Sequence, residues 1–143
     1  MLSPVSVPIP LPYRDYRFVA VTVPAGFPSP AADDAEDVID PFAWVVRHEA
    51  ATYWWRVSGD SLIDVGILDG DLVAVDRAGK VRPGRIVLAV VDGGVTVKVA
   101  ERRDGCVWLM PRAVGRGFEP ILVTETTEIW GVVAGVARRY PVD

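Results

Sequence analysis

Four tight-turn signals, Asp69-Gly70, Arg82-Pro83-Gly84, Asp92-Gly93-Gly94 and Asp104-Gly105, punctuate the second half of the chain and constrain its fold more than any other feature. Asp-Gly pairs tolerate the positive φ angles that a two-residue hairpin demands, so each pair ends one strand and starts the next. The Val-, Ile-, Leu- and Trp-rich runs between the signals fall near 53–57, 71–76, 85–91, 94–100, 106–110 and 129–138. Short strands at that spacing predict a mainly β domain of antiparallel strands, a small barrel or sandwich. Half of the 143 residues are hydrophobic, enough for one real core.

The chain ahead of these strands reads differently. Four prolines stand in the first twelve positions, and further prolines flank Ala25-Gly26-Phe27. Proline lacks an N–H and biases its predecessor towards extended backbone, so residues 1–40 are expected to form an irregular N-terminal arm outside the core. The acidic stretch 33–37 reads as a solvated face. In D-P-F-A-W-V-V-R-H-E, Asp40 fits an N-cap and Pro41 the first helical position, which predicts one short helix over about 41–48. The expected division is an arm, 1–40, and a β-rich body, 41–143.

Composition narrows the function. A formal net charge of −4 excludes a basic nucleic-acid surface, so no direct sequence-specific DNA binding is expected. The single cysteine, Cys106, rules out an internal disulfide and a multi-cysteine zinc site, and fits a reducing cytoplasm. It reads as a small buried hydrophobe after a turn. No cofactor or metal motif is present. The apolar start has no basic n-region and too many prolines for a signal peptide, and no run approaches the ~18 apolar residues of a membrane span. The five tryptophans, Trp44, Trp54, Trp55, Trp108 and Trp130, read as core or dimer-interface aromatics.

Chemistry concentrates at V-S-G-D-S-L-I-D, residues 57–64. A serine is a poor nucleophile until a neighbour takes its proton. G-D-S-L resembles the nucleophile block of GDSL esterases, but those are α/β enzymes with an Asp-x-x-His near the C-terminus. Here the one histidine, His48, lies upstream in the predicted helix and reads as a surface or capping residue. The other base is a lysine, as in Ser-Lys variants of the catalytic triad. Of fifteen basic residues only Lys80 and Lys98 are lysines. In G-G-V-T-V-K-V-A, strand alternation puts Val95, Val97 and Val99 on one face and Thr96, Lys98 and Ala100 on the other. Burial would lower the lysine pKa, and Thr96 would orient the amine. Periodicity alone favours a solvated lysine on the open face of an edge strand.

The wider sequence bears on the choice. W-R-V-S-G-D-S-L-I-D-V-G-I-L-D-G-D-L-V-A-V-D-R, R-P-G-R-I-V-L-A-V-V-D-G-G-V-T-V-K, L-M-P-R and I-W-G-V-V-A-G-V resemble the catalytic half of the LexA/UmuD-type self-cleaving peptidases. A-G-F-P-S-P-A-A-D resembles the cleavage region of the UmuD branch, and the resemblance spans about residues 20–140. It implies Ser61 as nucleophile, Lys98 as neutral-amine base, and the backbone N–H groups of Asp60 and Ser61 as oxyanion donors. The implied substrate is the chain's own arm, cut between Ala25 and Gly26. Leu62 stands where the family usually has Met, and Ala25 where the UmuD branch commonly has Cys. The resemblance further implies a homodimer, stimulation by the RecA–single-stranded DNA filament, and service to an error-prone, UmuC-like polymerase subunit. Two competing readings are a non-cleaving binding module of the same fold and a signal-peptidase-like Ser-Lys enzyme acting on other proteins.

Overall fold

In the computed structural model, which describes residues 3–5, 16–19, 23–26 and 36–143, ten strands form two antiparallel sheets among the described residues. The strands are β1 (Ser3–Val5), β2 (Tyr16–Val19), β3 (Glu36–Ile39), β4 (Thr52–Arg56), β5 (Leu72–Asp76), β6 (Ile86–Val91), β7 (Gly94–Arg103), β8 (Cys106–Met110), β9 (Ile121–Leu122) and β10 (Glu128–Ala137). The larger sheet runs β1-β4-β5-β10-β6-β7-β8-β9, and β2 pairs only with β3. The mainly β expectation holds. The sheet is open at β1 and β9, so its strands do not close a barrel.

The turns form where the sequence placed them. Asp92 and Gly93 have φ of 48° and 80°, and Asp104 and Gly105 have 51° and 77°. Each pair closes a two-residue hairpin, Val91 opposite Gly94 and Arg103 opposite Cys106. Strand bounds agree to within a residue except in β7, which continues to Arg103, and β9 was not anticipated. Cys106 is exposed, a correction: it flanks the Asp104-Gly105 turn, where the hairpin has left the core.

Two corrections concern the start of the chain. The arm is not wholly irregular, because Ser3–Val5 adds to the edge of β4 and Tyr16–Val19 pairs with Glu36–Ile39. The remaining proline-rich start, Val21, Pro28 and Asp33-Asp34 lie outside the described residues. The helix is shorter than expected, α1 (Pro41–Val45). Its start is as read, since the Asp40 carboxylate accepts from the N–H groups of Phe42 and Ala43 at 3.0 and 3.2 Å. It ends early because Val46 turns extended at two consecutive β-branched residues, which resist helix continuation. Val45 then packs against Gly135 of β10, where any Cβ would stand 2.5 Å from the valine methyl.

Alternate side chains of the strands build two apolar clusters. Trp55, Val57, Leu62, Ile67, Val73, Val75, Leu88, Val97, Val99 and Met110 form one. Val87, Ala89, Ala100, Leu109 and Val132 form the other. The tryptophans divide: Trp55 is buried, with Trp130 packed edge-on at 5.1 Å, whereas Trp44 is 73% exposed.

One buried carboxylate ties the loop before β5 to the end of β10. Asp71, 1% exposed, accepts from Arg138 Nε and a terminal guanidinium nitrogen at 2.6 Å each, and from Leu68 N at 2.7 Å. Arg138 holds the Asp71 pKa below its ordinary 3.8 through these hydrogen bonds, against burial, which raises it. Asp71→Ala should cost about 2–3 kcal/mol in urea unfolding at pH 7, the range for hydrogen bonds to a charged group. Because the folded pKa is depressed, this stabilisation is complete above 3.8 and is lost as pH falls through the folded value. The gap between wild type and Asp71→Ala should therefore narrow when unfolding is measured at successively lower pH.

Candidate active site

Strand order puts β7 inside the sheet, with Lys98 one residue short of its pairing with β8. β7 lies between β6 and β8, with Lys98 opposite Val87 and Thr96 opposite Ala89. Val87 and Ala100 share the face of Lys98 and are 0% and 2% exposed, and Lys98 itself is 9% exposed. A solvated lysine is thus ruled out by burial: β7 pairs with β6 through Lys98, and its pairing with β8 begins one residue later, at Val99. Burial strips water from the ammonium and pushes the Lys98 pKa below its ordinary 10.5. Lys80 is exposed.

Lys98 Nζ lies 3.1 Å from Ser61 Oγ, 2.8 Å from Thr96 Oγ1 and 3.2 Å from the Val97 carbonyl oxygen. An ammonium donates to all three. A neutral amine has two N–H groups and one lone pair. The Val97 oxygen can only accept, and the Thr96 hydroxyl is free to accept, which leaves the lone pair for the Ser61 hydroxyl proton. The backbone and one threonine therefore aim the amine.

Ser61 is held by a turn pinned from several sides. Gly59, at φ +93°, reverses the chain and donates its N–H to Asp69 Oδ1 at 2.7 Å. Leu62, 2% exposed, anchors the turn in the first apolar cluster. The Ser61 carbonyl accepts from Arg112 N at 2.7 Å, and the Arg112 carbonyl accepts from Asp64 N at 2.8 Å. Asp64 Oδ2 accepts from Val114 N at 2.8 Å, and the Asp60 carboxylate pairs with the Arg116 guanidinium. Arg112 also pairs with Glu101, three residues beyond Lys98 on β7. Sequence reasoning missed this bracing by 112–116, whose only signal was the L-M-P-R string.

The structure thus brings Ser61, Lys98 and Thr96 together, with Asp60 beside them. His48 is elsewhere engaged: its Nδ1 stands 2.6 Å from Asp76 Oδ2. Ala25 and Gly26 form an exposed bend, with open space around Gly26, and among the described residues no hydrogen bond joins them to Ser61 or Lys98. No three His, Cys, Asp or Glu side chains among the described residues stand together as a metal site. Among the described residues no helix is long and apolar enough to cross a membrane.

Comparison with known proteins places most of the chain in one family. A family model described as peptidase S24-like matches residues 17–134. The chain is 43% identical over 116 residues to Protein SamA of Salmonella typhimurium, covering 81% of this chain and 80% of SamA. It is 40% identical over 123 residues to Protein ImpA of Escherichia coli, with 80% and 78% covered. It is also 38% identical over 129 residues to the LexA repressor of Nocardioides sp., spanning 90% of this chain but about half, 51%, of the repressor.

Buried Lys98 gives stability a definite pH dependence. Its pKa is lower folded than unfolded, so between the folded value and 10.5 only the unfolded chain holds the proton, and stability rises with pH through that window. Urea unfolding of wild type and Lys98→Met should show the difference moving in favour of wild type from pH 7 to pH 10.5. A pH-independent difference would mean that Nζ is hydrated.

Proposed function

This chain belongs to the peptidase S24-like family, of LexA/UmuD type, and on that premise we propose that it is a self-cleaving peptidase with a Ser61–Lys98 dyad. Its substrate is its own arm, residues 1–40, and the bond cut is Ala25–Gly26. The observation that carries this reading is the 3.1 Å approach of the buried Lys98 Nζ to Ser61 Oγ.

The reaction follows from that geometry. Neutral Lys98 takes the hydroxyl proton as Ser61 Oγ attacks the Ala25 carbonyl carbon. The backbone N–H groups of Asp60 and Ser61, which donate to no backbone acceptor among the described residues, receive the oxyanion. The Lys98 ammonium then protonates the departing Gly26 nitrogen, and the bond to Gly26 breaks. Lys98 next deprotonates a water, which attacks the Ala25–Ser61 ester and frees both the new carboxylate and the serine. Thr96 is a positioning residue for the amine. Ala25 and Gly26 add little bulk, and tethering makes the attack unimolecular.

The exposed bend has to be carried to the serine before any of this begins, which favours a slow reaction awaiting a partner that seats it. The RecA–single-stranded DNA filament fills that role in this reading. The chain then acts as a cytoplasmic homodimer whose shortened form assists an error-prone, UmuC-like polymerase in the response to DNA damage.

Incubation at pH 10, or with RecA filaments at neutral pH, should yield a fragment of residues 1–25 and a body beginning at Gly26, read by intact mass spectrometry. Ser61→Ala and Lys98→Ala should slow the cut at least ~100-fold, as expected for loss of the nucleophile or its base. Lys98→Arg should be equally inactive, because arginine keeps its proton. Thr96→Val should slow it about five- to tenfold, the loss of one hydrogen bond. The wild-type rate should rise with pH and level off below 10.5, where the buried amine is already neutral. An unchanged mass under both conditions would leave a binding module of the same fold.

A further inference from the structure

We propose that the edge of β4 is a strand-accepting site, closed by the arm's own β1 in the intact chain and opened by the cut to an extended apolar segment of a partner polypeptide. The inference rests on the cut at Ala25–Gly26 proposed above.

The topology supplies the first reason. Each strand pairing made by described residues ahead of that bond reaches across it. β1 pairs with β4, Ser3 opposite Arg56, Pro4 opposite Trp55 and Val5 opposite Trp54. β2 pairs with β3, Tyr16 opposite Ile39 through to Val19 opposite Glu36. The fragment 1–25 is therefore clipped to the body by strands of three and four residues, and Pro4 brings no N–H to its side. While the peptide bond is intact, the tether holds these strands at about millimolar effective concentration. Once cut, at micromolar protein, that concentration falls about a thousandfold, and pairings this short do not persist alone. β4 then ends the sheet with unpaired N–H and C=O groups, a ready template for another strand.

The surroundings of β4 supply the second reason. Phe42 packs edge-on against Trp54 at 5.6 Å and is 45% exposed, neighbouring Trp44 is 73% exposed, and Tyr53 of β4 is 47% exposed. The strand now seated on this edge, Ser-Pro-Val, is uncharged. Main-chain hydrogen bonds to the edge give affinity for any extended segment, and the aromatic flank selects an apolar one.

The test keeps opening separate from cutting by using the full chain with Ser61→Ala throughout. Val5→Pro removes a second N–H from β1. The probe is a fluorescently labelled peptide of residues 1–12 of this chain. Relative to Ser61→Ala alone, the Val5→Pro chain should show amide exchange across 52–56 at least tenfold faster and bind the peptide at least tenfold tighter. Bound peptide should restore the protection. Unchanged exchange across β6 and β7 shows that the body is folded. A Ser3→Cys/Arg56→Cys chain, with Cys106→Ser, should bind no peptide when oxidised and recover on reduction. Equal exchange across 52–56 with and without Val5→Pro, or equal peptide binding by locked and open chains, overturns the proposal. So does protection of β4 by self-association of the Val5→Pro chain, which gives the edge to a second copy. These outcomes do not depend on self-cleavage: its absence in the mass measurement sinks the peptidase reading and the opening by the cut, while the exchange and peptide measurements decide the strand-accepting edge separately.

Discussion

An amine can take a proton from a serine only where water does not keep that amine charged, and the strand order of this sheet provides such a place. β7 is flanked by β6 and β8, and Lys98 stands on it opposite Val87, one residue before the pairing with β8 begins at Val99. Val87 stands opposite and Ala100 two residues along, both buried, and together they remove the solvent that would stabilise an ammonium. The same burial would be a net cost to the fold were the nitrogen unpartnered. Thr96 Oγ1, the Val97 carbonyl and Ser61 Oγ each lie within hydrogen-bonding distance, and they offset that cost while fixing the direction of the lone pair.

The serine is positioned by a separate set of contacts, from a different part of the chain. Leu62 sinks into the apolar cluster, Gly59 is bound by Asp69, and the carbonyl of Ser61 is held by Arg112. The loop bearing Asp69 is fixed in turn by buried Asp71 and its pairing with Arg138 beyond β10. Arg112 links both halves of the site, since its backbone grips the serine turn and its guanidinium grips Glu101 on the lysine strand. The Ser61 turn and the Lys98 strand are thus held by separate contacts and joined by Arg112 and by the packing of Leu62 with Val97 and Val99. In the proposed reaction the chemical groups are thus built in advance, and the variable step is delivery of the exposed Ala25–Gly26 bend.

Topology gives that delivery a consequence beyond bond breaking. The arm contributes short strands to two sheets, and both of their partners, β3 and β4, belong to the part of the chain that remains. Under the proposed cut, a segment that is substrate in one role is edge protection in another. Pro4 suits the edge role, because it limits the hydrogen bonds that β1 can offer.

Much of this was legible in the sequence, and what was legible was local. Asp92-Gly93 and Asp104-Gly105 fix hairpins through the dihedral tolerance of two residues, and Asp40-Pro41 fixes a helix start through one cap. The period of two placed Thr96 and Lys98 on one face of one strand. None of these signals reported what lay across from that face. Periodicity favoured an edge strand for Lys98, an early helix stop at Val46 went unseen, and Cys106 was taken as buried. The bracing of the serine turn by Arg112 and Arg116 left no signal beyond the L-M-P-R string. Burial and partnership depend on which strands become neighbours, here on contacts such as Lys98 to Ser61 that span 37 residues. Residue preferences act over a few bonds, whereas the loss of water that sets the character of Lys98 comes from strands far away in the chain. The sequence determined where the chain turns and which chemical groups it carries; tertiary structure alone decided which of them lie dry and within reach.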